Sequence, residues 1–144
     1  MNNEQNAFPI FGLIKENNII STWLRNSYFI TKEMSLTEHG LKHAEFVSNR
    51  ALEIAKAIGS DKRNQDLVLS AAYMHDIGNF LSRTYHHYLG SMFLFEIFKD
   101  KIDIKDLTII MQAVANHDKE EMKLVHPVSA MVVIADKSDV RRER

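Results

Sequence analysis

An apolar stripe between residues 44 and 58 constrains the fold of this chain more than any other feature of the sequence. Its side chains recur mainly at steps of three and four, the period of one face of an α-helix: Ala44, Val47, Ala51, Ile54, Ala55 and Ile58. We predict a helix from Thr37, as its N-cap, to Ile58, ended by Gly59. With 5 glycines and 2 prolines among 144 residues, long helices are favoured over a turn-rich β fold.

Shorter stripes of the same period predict the other helices. Gly78 is expected to end one of them, before a polar loop at residues 79–85. No alternating pattern typical of a strand is found, so we predict an all-α, compact single-domain bundle of about six helices. The other predicted positions are helical material around Trp23, a third helix from about Asp66 to His75, a fourth opened by His86 and His87, a fifth capped by Asp103, and a sixth from near Pro127.

Composition excludes several classes of protein. The net charge of -1 gives no global basic field for nucleic acids. The absence of cysteine rules out disulfides, thiolate nucleophiles and cysteine-type zinc sites. No apolar run approaches the length of a membrane span, and the N-terminal sequence MNNEQNAF lacks the pattern of a signal peptide. We therefore expect a cytoplasmic protein.

The run MFLFEIF at residues 92–98 is open to two interpretations. Its apolar side chains belong either to the core or to the contact surface of a homodimer. We expect core, and the homodimer stays the second interpretation.

Seven histidines are a high number for such a chain, and most fall where an inward-facing stripe ends. Carboxylates are costly to bury without a partner, and imidazoles beside them suit a divalent metal. We therefore predict a metal centre between the helices. Its candidate ligands come from five segments: His43, then His75 and Asp76, then His86 and His87, then His117, and finally Asp136.

Each of these residues also has a simpler interpretation. A single histidine at a helix end is more often a cap or a half-buried side chain, and Asp136 can pair with Lys137. His39 lies one turn before His43, which permits joint metal binding, but we expect it to face solvent. The ordered series over five segments favours the metal centre, because every simpler interpretation would have to hold at once.

The same series resembles the HD-domain superfamily of metal-dependent phosphohydrolases, of the HDIG type. The segments that carry the resemblance are HAEFV, HDIG, HHYLG, ANHD and VVIADKSD, within residues 37–140. The resemblance implies an all-helical fold with its metals between helices. The length of the chain predicts one domain over residues 1–144, with 1–36 as an N-terminal helical extension and 37–140, the part that carries the resemblance, as the metal-binding core.

By the same resemblance, the ligands divide between one or two divalent ions, which can be Mn, Fe, Zn, Ni or Co. One ion would be held by His43, His75, Asp76 and Asp136. His86 and His117 would extend the site to a second ion, with Asp76 bridging. His87 is an alternative to His86, and the spacing to Gly90 favours His86.

The resemblance further implies hydrolysis of a phosphomonoester or phosphodiester by metal-activated water, in a nucleotide or other small phosphorylated metabolite. Asp76 would bridge the ions and orient the nucleophile. Arg83 is the first candidate for binding substrate phosphate, since its guanidinium can donate two parallel hydrogen bonds, and Lys137 is the second. Arg83 is equally open to interpretation as a surface charge, and for Lys137 that interpretation is favoured. Neither His39 nor Asp118 is expected to transfer a proton.

Two other functions stay open for such a chain. The first is a catalytically silent metal- or nucleotide-binding sensor, which needs the same ligands as an enzyme. The second is an all-α interaction domain whose histidines are structural. Asn79 directly after HDIG, and the lack of a GYP sequence after His117, depart from the superfamily's cyclic-dinucleotide phosphodiesterases, so that activity is not expected.

Overall fold

The computed structural model describes residues 7–34, 39–118 and 124–140. These residues form seven α-helices and one 3-10 helix without a strand, which confirms the all-α prediction. The prediction of about six helices was one short, because the N-terminal region holds two, separated where the Asn17 side chain caps the second. The helices are α1 (Pro9–Lys15), α2 (Asn18–Glu33), α3 (Leu41–Ala57), α4 (Lys62–Met74), the 3-10 helix (Ile77–Phe80), α5 (His86–Phe98), α6 (Ile104–Asn116) and α7 (Pro127–Lys137).

Helix α4 lies at the centre of the bundle. Every residue from Gln65 to Met74 is buried, because α1, α3, α6 and α7 all pack against it. A helix that is buried on all sides has no polar face. It begins earlier than the predicted Asp66, since the Asp61 carboxylate accepts the Asn64 N–H at 2.7 Å and starts the helix there.

Helix α3 begins later than predicted. Its first residue is Leu41 and its N-cap is Gly40, whereas the predicted cap, Thr37, lies outside the described residues. His39 therefore precedes the helix, and the helical period does not set the direction of its side chain. Gly78 was also interpreted wrongly, because α4 ends at Met74 and Gly78 lies inside the 3-10 helix.

The two N-terminal helices are attached to the bundle by different contacts. Asp66 of α4 accepts the backbone N–H groups of Ile10 and Phe11, each at 2.9 Å, and so caps α1. Burial raises the pKa of Asp66 in spite of these bonds. Helix α2 contacts the 3-10 helix through Trp23, whose ring stacks on Phe80 with centroids 4.2 Å apart.

The apolar run at residues 92–98 contributes mainly to the core. Leu94 and Phe98 are fully buried, and Phe93 packs against Trp23 with ring centroids 5.1 Å apart. Met92 is exposed, and the homodimer stays a prediction. Within the described ranges, the structure has no helix with the length and apolar character needed to cross a membrane.

Candidate metal centre

Four histidine rings are held in one orientation by hydrogen bonds at Nδ1. Carbonyl and ionised carboxylate oxygens accept but do not donate, so Nδ1 carries a hydrogen and Nε2 is the nitrogen that faces the centre. Metal-binding imidazoles are anchored in this way. The bonds join His75 to the carbonyl of Ala72, His86 to that of Arg83, His117 to that of Val114, and His43 to the carboxylate of Asp139, at 2.7, 2.9, 2.7 and 2.9 Å.

The first ligand set consists of His43, His75, Asp136 and Oδ2 of Asp76. Nε2 of His43 lies 3.2 Å from Nε2 of His75 and 3.2 Å from Oδ1 of Asp136. Oδ2 of Asp76 lies 3.6 and 3.4 Å from the same two nitrogens. Ligand atoms placed tetrahedrally at about 2.1 Å from an ion are about 3.4 Å apart. The four atoms therefore surround a space that fits one divalent cation.

The second ligand set consists of His86, His117 and Oδ1 of Asp76. The two Nε2 atoms are 3.2 Å apart, and they lie 3.2 and 3.3 Å from that oxygen. Asp76 thus directs one carboxylate oxygen to each set. The sequence-predicted residues from α3, α4, α5, α6 and α7 are brought together at this point.

The charges of the centre fit a divalent cation. Burial acts to raise the pKa of Asp76, but His75, His117 and His39 outweigh it and hold that pKa well below its usual range. The pKa of Asp136 is lowered against burial by His43 and His75. Two ionised carboxylates in a buried site require a compensating positive charge. Because histidine Nε2 atoms surround these carboxylates, a metal ion is a suitable source of that charge.

Without a bound ion, a proton on His75 would supply part of that charge. Burial disfavours the charged ring, but Asp76 and Asp136 outweigh it and raise the pKa of His75 to about 10. The pKa of His117 is lowered by burial, with partial opposition from Asp76. The two sets therefore differ, because His117 is ready to bind a metal while His75 must first lose a proton.

Two glycines bring the second ligand set to the first. A Cβ at Gly78 would overlap the backbone carbonyl of His86 and would lie 3.0 Å from the backbone N of Gly90. A Cβ at Gly90 would lie 3.0 Å from the Ile77 side chain. The backbones of the 3-10 helix and α5 can approach this closely because neither glycine has a side chain. The approach places His86 against Asp76.

Two residues outside the predicted ligand set contact the ligands. His39, expected in solvent, is 7% exposed, and its Nδ1 lies 2.6 Å from Oδ2 of Asp76. Asp139 is buried and holds the His43 ring. Only their spacing in the sequence could have pointed to these two residues: Asp139 lies three residues after Asp136, and His39 lies four residues before His43. The solvent expectation for His39 was wrong because tertiary packing, not helix phase, directs its side chain.

Two cationic side chains lie on one flank of the metal centre, one beside each ligand set. Nη1 of Arg83 lies 3.4 Å from Nε2 of His86 and 3.9 Å from Oδ1 of Asp76. Nζ of Lys137 lies 3.2 Å from Oδ2 of Asp136. The carboxylate of Asp118 lies between the two cations, 3.4 Å from Arg83 and 3.7 Å from Lys137. These groups are partly exposed, so this flank is open to solvent.

His87, the alternative to His86, lies in neither ligand set. Its ring packs beside Tyr88 with centroids 4.3 Å apart, and its centroid is 6.3 Å from that of His117. Adjacent residues of a helix point in directions about 100° apart, so only one of the pair reaches Asp76. His126 caps α7, because its Nδ1 accepts the Val128 N–H at 3.2 Å.

Comparisons with known proteins agree with this geometry. A sequence model described as "HD domain" matches residues 40–141, which is more than half of the chain. An uncharacterized protein of Methanocaldococcus jannaschii is 23% identical over 158 aligned positions, which cover 94% of this chain and 61% of the relative. The chain thus spans about three fifths of that relative's length. No solved structure matches the chain.

Proposed function

The chain belongs to the HD-domain family, and from this premise we propose that it is a metal-dependent phosphohydrolase. The proposed reaction is cleavage of a phosphomonoester or phosphodiester bond in a nucleotide or other small phosphorylated metabolite. One observation supports it most. Both oxygens of a single buried carboxylate, that of Asp76, lie 3.2 to 3.6 Å from histidine Nε2 atoms on two sides, an arrangement in which two cations would share it.

In this proposal, each ligand set holds one divalent ion. His43, His75, Asp136 and Asp76 hold the first, and His86, His117 and Asp76 hold the second. Such ions, when bound, supply Lewis acidity toward phosphoryl oxygens and make water more acidic. Imidazole and carboxylate ligands accept Mn, Fe, Zn, Ni or Co.

Arg83 and Lys137 bind the phosphoryl oxygens in this proposal. Their cationic groups lie on the two sides of the Asp118 carboxylate, one near Asp76 and the other near Asp136. A guanidinium can donate two parallel hydrogen bonds to a phosphate, whereas an ammonium acts as a compact charge. Arg83 would therefore fix the orientation of the phosphoryl group, and Lys137 would add attraction. Asp118 now lies between them, so a phosphate would compete with its carboxylate.

A substrate panel tests the proposed function. The purified protein is loaded separately with Mn, Fe, Zn, Ni and Co and supplied with phosphomonoesters, phosphodiesters and nucleotides. We expect hydrolysis of at least one class with at least one metal, because the ligand sets and the cations converge on one point. The Asp76→Asn variant, which keeps the shape of the side chain but loses one ligand oxygen and the charge, is expected to be inactive.

Two outcomes would contradict the proposal. Hydrolysis that persists in Asp76→Asn would come from another site or another protein. A silent panel with both ions bound, measured by elemental analysis on the same sample, would favour a metal- or nucleotide-binding sensor.

A further inference from the structure

Asn79 carries a buried hydrogen-bond donor beside the second ligand set. The residue is 1% exposed, and its Nδ2 atom has no hydrogen-bond partner among the described residues. A buried amide donor without a partner costs free energy, because its hydration is lost and nothing replaces it. An oxygen of a ligand bound beside this group would supply the missing acceptor.

The orientation of the Asn79 amide is fixed by Arg83. Oδ1 of Asn79 accepts a hydrogen bond from Nη1 of Arg83 at 3.2 Å. A guanidinium has no acceptor, so the oxygen of the amide must be the atom that faces it. The same Nη1 lies 3.4 Å from Nε2 of His86 and 3.9 Å from Oδ1 of Asp76. The Asn79 amide is therefore one contact away from the second ligand set, with Nδ2 as its remaining polar atom.

The backbone around Asn79 is held firmly. Its N–H donates to the carbonyl of Asp76 at 3.0 Å. The preceding Gly78 is packed against the backbone of His86, and the following Phe80 is stacked on Trp23. A donor on such an element is held in place before a ligand binds, which strengthens recognition.

We propose that Asn79 is a substrate-binding residue that uses both ends of its amide. Oδ1 holds the Arg83 guanidinium in position, and Nδ2 donates to an oxygen of the substrate's phosphoryl group. Arg83 and Asn79 together then recognise a tetrahedral oxyanion through adjacent donors. This inference rests on the proposed function, whose substrate is a phosphate ester, and adds the residue that reads the phosphoryl oxygens.

The Asn79→Asp variant separates the two ends of the amide. It keeps an oxygen acceptor for Arg83 and replaces the Nδ2 donor with a negatively charged oxygen. We expect inorganic phosphate to bind the metal-loaded variant at least about tenfold more weakly than the wild type, with unchanged metal content. Calorimetric titration with phosphate measures the affinity, and elemental analysis measures the metal. Asn49→Asp, at an exposed position of α3, makes the same change of charge away from the site and should bind phosphate as the wild type does.

A second variant keeps the inference testable if Asn79→Asp does not fold. Asn79→Leu retains the approximate shape of the side chain without polar atoms, and should also bind phosphate at least about tenfold more weakly. Wild-type phosphate affinity in a folded, fully metal-loaded Asn79 variant would overturn the inference. A parallel loss of bound metal and of phosphate affinity would also overturn it, because Asn79 would then act through the metal ligands.

The failure of this inference and that of the proposed function give different results. If the phosphate affinity depends on Asn79 but no ester is hydrolysed, the binding role holds and the hydrolase proposal fails. If an ester is hydrolysed with the same KM by wild type and Asn79→Asp, the hydrolase proposal holds and the role of Asn79 is overturned.

Discussion

The two ligand sets use the same chemistry but differ in their surroundings. In the first, the His43 ring is fully buried and is held from behind by Asp139, whose side chain is also fully buried. In the second, the ligands adjoin Arg83 and Asp118, whose side chains are 33% and 37% exposed. Both sets take one oxygen from Asp76. We therefore call the first set the closed set and the second the open set.

This difference indicates a division of roles. A metal site surrounded by protein ligands is typical of a firmly held ion, whereas a catalytic site keeps an open position for water or substrate. The first set fits the former and the second set fits the latter. Arg83 and the buried Asn79 donor lie on the open side, where a phosphoryl group would approach.

Removal of the shared carboxylate should have the largest effect. Asp76→Ala takes a ligand oxygen and the negative charge from both sets, so we expect it to bind neither ion. Elemental analysis after gel filtration measures this. Asp100→Ala, at an exposed position between α5 and α6, is the matched control and should retain the wild-type metal content. One ion retained by Asp76→Ala would show that the carboxylate is not shared.

Gly78→Ala should disturb the open set and spare the closed one. The new Cβ overlaps the His86 carbonyl, so α5 must move away and take His86 with it. We expect loss of the second ion and retention of the first, measured by metal titration. Gly59→Ala is a useful control, because Gly59 has φ of 74° and open space around it, so the change strains the backbone without reaching a ligand. Equal losses from both sets in Gly78→Ala would contradict the account.

Asp139→Ala should weaken the closed set selectively. Loss of the carboxylate behind His43 frees the ring, and such outer contacts are worth about 10- to 100-fold in metal affinity. Competition with a chelator of known affinity measures the change. Ser138→Ala, at the neighbouring position, should have no comparable effect. An unchanged affinity in Asp139→Ala would mean that packing alone orients the ring.

The dependence of metal binding on pH should also differ between the sets. The pKa of His75 is raised to about 10 from about 6.5 in an unfolded chain. Its protonated ring therefore stabilises the metal-free fold fully below about pH 6.5, and this contribution is lost as pH rises toward 10. An ion in the first set must replace that proton, so its affinity should rise about tenfold per pH unit in this range.

Calorimetry in buffers of different ionisation enthalpy measures the released proton. His117→Ala retains the closed set and should release about one proton per ion near pH 8. His43→Ala retains the open set, where burial lowers the pKa of His117, and should release essentially none. Equal release by the two variants would contradict the assigned difference.

The residues that could be predicted from sequence are those whose direction follows from a helix. His43 shares a helix with an apolar stripe, and His117 and Asp136 each lie at the C-terminal end of one, so the core that buries the stripe also takes in the histidine or aspartate. The all-α fold followed from the same periodicity.

The remaining features depend on contacts between distant segments. His39 lies outside a helix, so only the packed structure shows that it meets Asp76. The expectation of a helix stop at Gly78 is wrong, because one sequence does not show that the carbonyl of His86 packs against this residue. Asn79 is buried, and its Nδ2 atom has no hydrogen-bond partner among the described residues. A sequence shows neither property.

The most direct test of the two-set account is the number of ions bound by matched single-ligand variants. Wild type, His43→Ala and His117→Ala are titrated with one divalent metal, and the bound metal is determined by elemental analysis. We predict two ions per chain for the wild type and one for each variant, with the Asn79-dependent phosphate affinity lost in His117→Ala and kept in larger part in His43→Ala. A single ion in the wild type, or loss of all metal in both variants, would contradict the account.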